Sequence, residues 1–188
     1  MDEKRPIGRS AFLRHGLAQL LGKLVEGLEQ VQEQVVPRRF RPPGAQSEPE
    51  FLATCQRCNA CVRACEPGIL MVMRPGHGIA TGTPYLEPHS GPCQLCPTLP
   101  CIAACPSGAL RPIPLDQVRI GMAVLDPVTC IAFHGQQCRV CLDVCPLPGK
   151  AIAFEENLPR ILEDRCTGCG VCSFACVAQP TAIRIRHL

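Results

Sequence analysis

The chain has no tryptophan, one tyrosine and six phenylalanines among its 188 residues. Aromatic side chains normally supply much of the area a core buries. A fold resting on a large apolar interior is therefore excluded, and something else must hold the chain together. No apolar run approaches the length of about eighteen residues that a membrane-spanning helix requires, so no membrane span is expected. The sequence also lacks a phosphate-binding P-loop, a nucleophile elbow and a His-Glu zinc motif. The glycines of GHGIATG, around Gly76, lack the strand–turn–helix setting of a dinucleotide site and read as a turn. With nothing to bind and activate a substrate, the chain is expected to have no catalytic site of its own.

What it has in excess is sulfur. Sixteen cysteines accompany twenty prolines and sixteen glycines, which point to many short turns and few long elements. Disulfides, structural zinc and iron–sulfur clusters compete to explain the thiols. Disulfide-rich chains are usually secreted and smaller. Zinc sites favour separated Cys-x₂-Cys pairs over runs of four.

The thiols fall into four groups. The first is Cys55, Cys58, Cys61 and Cys65; the second is Cys93, Cys96, Cys101 and Cys105. The third is Cys130, Cys138, Cys141 and Cys145; the fourth is Cys166, Cys169, Cys172 and Cys176. Their leading cysteines lie 38, 37 and 36 residues apart, the mark of an internal repeat. Groups one and four read C-x₂-C-x₂-C-x₃-C, the bacterial ferredoxin run. The second group lengthens its middle gap and the third its opening gap (CIAFHGQQC), and all keep the closing C-x₃-C. Four [4Fe–4S] clusters are the expected cofactors, with zinc the remaining alternative.

Tight spacing lets three thiols reach three irons of one cubane, and small residues between them let backbone N–H groups approach the sulfurs. CTGCGVC does this with Gly168 and Gly170, and CQRCNAC places Arg57 and Asn59 at the matching positions. The formal charge of +3 does not imply nucleic acid. A cubane with four thiolates carries about −2, and four of them would bring the total to about −5.

In two-cluster ferredoxins the fourth cysteine of one run ligates the other cluster. Cys105 and Cys145 are followed by proline, whereas Glu66 follows Cys65 and Val177 follows Cys176. This pattern pairs the outer groups with each other, and likewise the inner ones. Cluster 1 is then Cys55, Cys58, Cys61 and Cys176; cluster 2 is Cys93, Cys96, Cys101 and Cys145. Cluster 3 is Cys130, Cys138, Cys141 and Cys105; cluster 4 is Cys166, Cys169, Cys172 and Cys65. The expected fold is a small, loop-rich α+β core of two nested ferredoxin-like units. The outer unit joins 51–92 with 157–188, and the inner unit covers 93–156. Strands are expected in GILMVM, GMAVLD, KAIAFE, PRILED and TAIRIR, and each C-x₃-C opens a short helix.

Residues 1–50 are set apart. Leu17, Leu21, Leu24, Leu28, Val31 and Val35 form one apolar seam at helical spacing, and PRRFRPPGAQSEPE reads as an extended linker. The helix either packs on its own core or docks on another subunit or a second copy of the chain. GRSAFLR resembles a twin-arginine export signal in which Ser10 replaces the second arginine, and Lys23 and Glu26 interrupt the segment behind it. Cytoplasmic residence is expected, with periplasmic export the alternative. His15, His77, His89, His134 and His187 read as ordinary loop or surface residues.

The stretches GTPYLEPHSGPCQLCPTLPCIAACPSGAL, RIGMAVLDPVTCIAFHGQQCRVCLDVCP and CTGCGVCSFACVAQPTAIRI closely resemble the NapG/MauM-type polyferredoxins, over about Phe51 to Ile185. The resemblance implies four [4Fe–4S] clusters that carry electrons between a redox enzyme and another carrier. It is also similar in plan to the iron–sulfur subunits of molybdenum and tungsten oxidoreductases, which implies outer-with-outer pairing. An aldehyde or formate oxidoreductase of that kind is the implied catalytic partner. A maturation factor that assists cluster insertion into a partner enzyme is the alternative.

Overall fold

The structure is a computed structural model and describes residues 39–147 and 151–188. The segment expected to form the N-terminal helix lies outside them. Among the described residues the regular elements are few and short. The helices are α1 (Glu48–Thr54), α2 (Ala60–Arg63), α3 (Pro100–Ala103), α4 (Val140–Asp143) and α5 (Val171–Phe174). Each of α2 to α5 starts one residue before the third cysteine of a run and ends two residues before the fourth. The strands are β1 (Met71–Val72), β2 (Pro84–Tyr85), β3 (Met122–Leu125), β4 (Ile152–Glu155), β5 (Leu158–Ile161) and β6 (Ile183–Arg186). Four of the six lie within stretches expected to be strands, and β5 overlaps a fifth, PRILED, starting one residue before it. None of the helices is long and apolar enough to cross a membrane.

The strands form three antiparallel ribbons, and their pairing divides the core into two consecutive units. In the second unit β3 pairs with β6, with Ala123 opposite Ile185, and β4 pairs with β5, with Glu155 opposite Leu158. Glu156 and Asn157 supply the two positive φ angles, +51° and +66°, that a tight two-residue hairpin demands. The first unit repeats the plan with less sheet. β1 pairs with β2, and single bridges join Phe40 to Leu86 and Ala45 to Leu110. The units are therefore in tandem. The expected nesting is corrected: the border proposed between inner and outer units, after residue 156, falls inside the β4–β5 turn.

The stretch 39–50, expected to be a linker, is instead built into the first unit. Arg41 is buried and its guanidinium has four acceptors. It donates to both carboxylate oxygens of Glu48 at 2.6 and 2.9 Å, to Thr83 Oγ1 at 2.9 Å and to the Pro84 carbonyl at 2.8 Å. It also lies over the ring of Phe51, 4.8 Å from its centre. A buried charge is tolerated only when paired and hydrogen-bonded in this way. Arg39 pairs with Glu87 at 2.6 Å, and Phe40 stacks on His187, which follows β6. The apolar core is small, with Phe51, Leu86, Val118 and Ile183 its largest closed side chains, and the buried cysteines belong to it.

Candidate metal centres

Four hollows, of about 360, 350, 340 and 310 Å³ with their mouths included, are each lined by four cysteines. The first cradle holds Cys55, Cys58, Cys61 and Cys105, closed from behind by Phe51 and Leu110. The second holds Cys93, Cys96, Cys101 and Cys65, beside Leu70 and Leu99. The third holds Cys130, Cys138, Cys141 and Cys176, beside Leu125 and Ile131. The fourth holds Cys166, Cys169, Cys172 and Cys145, beside Ile152 and Ile185.

All sixteen expected cysteines are thus brought into four sets, and in each set the first three are those of one run. The fourth member differs from expectation in every case. Cys105 replaces Cys176 in the first cradle and Cys65 replaces Cys145 in the second. Cys176 replaces Cys105 in the third and Cys145 replaces Cys65 in the fourth. The cause is local packing. Each fourth cysteine follows a one-turn helix, and α2 packs on α3 while α4 packs on α5. The ribbons β1–β2 and β4–β5 fold the chain back between the runs they separate. The proline pattern misled because it reports a turn and not a partner. Pro106 and Pro146 line the first and fourth cradles, and Pro67, one residue further along behind Glu66, lines the second.

The loops between ligands explain the spacing. In three runs the second residue after the first ligand, and the second before the third ligand, take positive φ. These are Arg57 and Asn59, Leu95 and Leu99, and Gly168 and Gly170. Left-handed backbone at both places wraps the loop round the hollow, at a cost of roughly 1–2 kcal/mol for each non-glycine residue. In the fourth run glycine is obligatory. A Cβ on Gly168 would lie 2.2 Å from the Gly121 backbone, and one on Gly170 would lie 2.4 Å from the Pro88 carbonyl. The third run, with its long opening gap, instead forms a 3₁₀ turn at Ile131–His134 ended by Gly135.

Burial pushes the thiols of Cys61, Cys101 and Cys141 up to about 11 and that of Cys93 up to about 12, with neighbouring thiols adding to the effect. Cys145, Cys169 and Cys172 are raised for the same reason. Burial also opposes ionisation of Cys105, but hydrogen bonds from the Leu110 N–H and from Ser107 outweigh it and lower this thiol. Burial that opposes ionisation of these thiols would be offset by compensating positive charge, which bound metal ions supply. Further backbone donors already face the sulfurs: the N–H of Ala123 lies 3.4 Å from Cys166 Sγ, and that of Leu110 lies 3.5 Å from Cys105 Sγ. Four thiols line each hollow, three of them from one ferredoxin-type run, a donor set that fits a [4Fe–4S] cluster.

Two residues that reading the sequence passed over matter to this arrangement. Arg41, taken for part of a linker, locks the wall behind the first cradle. His89, taken for an ordinary histidine, reaches Ser173 in the other unit at 2.9 Å. Neither carries a signal in the sequence, because each depends on a partner brought close only by the fold.

The family model of the 4Fe-4S dicluster domain matches residues 54–109, which contain both runs of the first unit. The methylamine utilization ferredoxin-type protein MauM of Methylophilus methylotrophus is 37% identical, over 97% of this chain and 86% of that protein. The ferredoxin-type protein NapG of Escherichia coli is 39% identical, over 96% of this chain and 86% of its own. MauM of Paracoccus denitrificans is 39% identical over 90% of this chain and 81% of its own. No solved structure matches.

Proposed function

Because the chain belongs to the NapG/MauM ferredoxin-type family, we propose that it relays single electrons through four [4Fe–4S] clusters between a catalytic redox subunit and another carrier. A bound [4Fe–4S] cluster takes up and gives back one electron. The chain's own residues hold, insulate and tune that group. In the first cradle Arg57 donates to the Cys55 carbonyl at 3.3 Å and Arg63 to the Cys58 carbonyl at 3.1 Å, which places positive charge beside the ligands. In the fourth, apolar walls and the Ala123 N–H surround the sulfurs. The observation that carries the reading is the set of four like cradles in tandem ferredoxin-like units, with no substrate site beside them in the sequence.

A molybdenum or tungsten oxidoreductase, acting on an aldehyde or formate, is the proposed catalytic partner. This choice rests on similarity of plan to the iron–sulfur subunits of such enzymes. Cytoplasmic residence is part of the proposal and rests on Ser10 interrupting the arginine pair. The test is native, oxygen-free purification with identification of bound proteins. Stoichiometric co-purification with a catalytic subunit, and reduction of this chain by that subunit's substrate, is the expected result. Transient binding to a metal-free enzyme, with no electron flow, would replace the relay by a maturation role.

A further inference from the structure

We propose that Pro88, His89 and Gly170 form a clamp that sets the spacing between the second and fourth cradles, and that electrons cross between the two units there. The inference rests on the relay reading above and adds to it an order and a set of positioning residues.

Within each unit the two cradles are neighbours by construction, since each lends the other its fourth ligand. Cys105 accordingly lines the first cradle and Cys65 the second, while Cys176 lines the third and Cys145 the fourth. Between the units, ligand meets ligand. The Cys93 N–H donates to the Cys169 carbonyl at 2.9 Å, so a single backbone hydrogen bond joins a residue of the second cradle to one of the fourth. The cradles therefore run first, second, fourth, third. The ends of this path face outward: Cys58 of the first cradle is exposed, and Val128 and Val177, flanking the third, are 78% and 57% exposed.

The clamp surrounds this crossing. Gly170 lies against the Pro88 carbonyl, where any Cβ would intrude. His89 and Ser173 close the other side. Ser173 is buried, and its hydroxyl donates to the Ile183 carbonyl at 2.6 Å. Its hydrogen is thus committed, and its oxygen accepts from His89 Nδ1–H at 2.9 Å. This assigns the Nδ1–H tautomer and ties the loop before Cys93 to the helix that carries Cys172. With clusters bound, a crossing electron would oxidise the group held by one cradle and reduce the group held by the other by one electron each. No bond changes, so spacing and orientation govern the rate.

The experiment uses the full chain, purified without oxygen and loaded with iron and sulfide, with variants His89→Ala, His89→Asn and Gly170→Ala. Iron content of the unmutated chain is measured first. A value far below four irons per cradle overturns the relay reading, separately from anything the variants do. A substoichiometric photogenerated reductant is then applied, and electron redistribution within the chain is followed by freeze-quench paramagnetic resonance. His89→Ala should slow relaxation by about tenfold, less than the roughly hundredfold that a misplacement of about 1 Å can cost reacting groups. Its iron content and the potentials of its signals should stay unchanged. His89→Asn should restore the rate, because its amide N–H can take the place of Nδ1–H. Spin–spin splitting in the fully reduced protein should weaken in His89→Ala and Gly170→Ala. Should Gly170→Ala fail to load iron, the two His89 variants decide. Unchanged relaxation and unchanged splitting in fully loaded His89→Ala would overturn the clamp.

Discussion

The first and fourth cradles use one loop geometry in opposite surroundings. Around Cys55, Cys58 and Cys61 the loop is open. Cys58 is exposed, Arg57 and Arg63 reach across the outer surface, and Arg57 also donates to the carbonyls of Ile79 and Thr81. Around Cys166, Cys169 and Cys172 it is closed. All three are buried and the loop is pressed against Gly121 and Pro88. The same two positions take positive φ in both. Where there is room for a side chain, arginine and asparagine occupy them; where backbone approaches as closely as it does at Gly168 and Gly170, only glycine fits. Sequence differences between otherwise equal runs therefore report what lies outside the loop, and the open cradle suits exchange with a partner while the closed one suits transfer within the chain.

The largest expected effect comes from carrying the open residue type into the closed site. Gly168→Ala combines a left-handed alanine with a clash against Gly121, and should cost about 3 kcal/mol or more. Thermal unfolding and iron content would both register it. Arg57→Ala, at the equivalent place, should keep full iron content. Next in size is access. With a ferrous chelator, iron should leave the first cradle about tenfold faster than the fourth, since the apolar shell round a site controls entry. Following each paramagnetic signal during chelation would measure this.

A smaller effect separates their potentials. Positive charge favours the more negative reduced state, so Arg57→Gln with Arg63→Gln should lower the first cradle's potential by a few tens of mV, given that both arginines are exposed and screened. A site-resolved redox titration should show the fourth unchanged, and the first the higher of the two in the unmutated chain. The smallest effect is Asn59→Gly. It relieves a left-handed residue, φ +59°, and removes a buried Oδ1 that lacks a hydrogen-bond partner. Unfolding should show a gain of at most about 1 kcal/mol.

How far the sequence could be read follows from which forces act locally. The thiol spacing is local chemistry, so the four runs and their one-turn helices were legible. So were β3 to β6, whose apolar stretches lie between turn residues. Pairing of the fourth cysteines was not, because it depends on α2 meeting α3 and α4 meeting α5. The proline after Cys105 and Cys145 is also local, and says only that the chain turns there. Residues 39–50 read as linker because their prolines and arginines look solvated, yet Arg41 becomes a buried anchor once Glu48, Thr83 and Phe51 surround it. Leu95 and Leu99 gave no hint of left-handed backbone, a conformation leucine rarely adopts. Both are buried, and Leu99 lines the second cradle.

The claim beneath all of this is that each cradle holds a four-iron cluster. The most direct test is iron and acid-labile sulfide, counted per chain in full-length protein purified without oxygen. The account predicts about sixteen of each. A chain carrying about four zinc ions and no sulfide, or only a few irons, would contradict it.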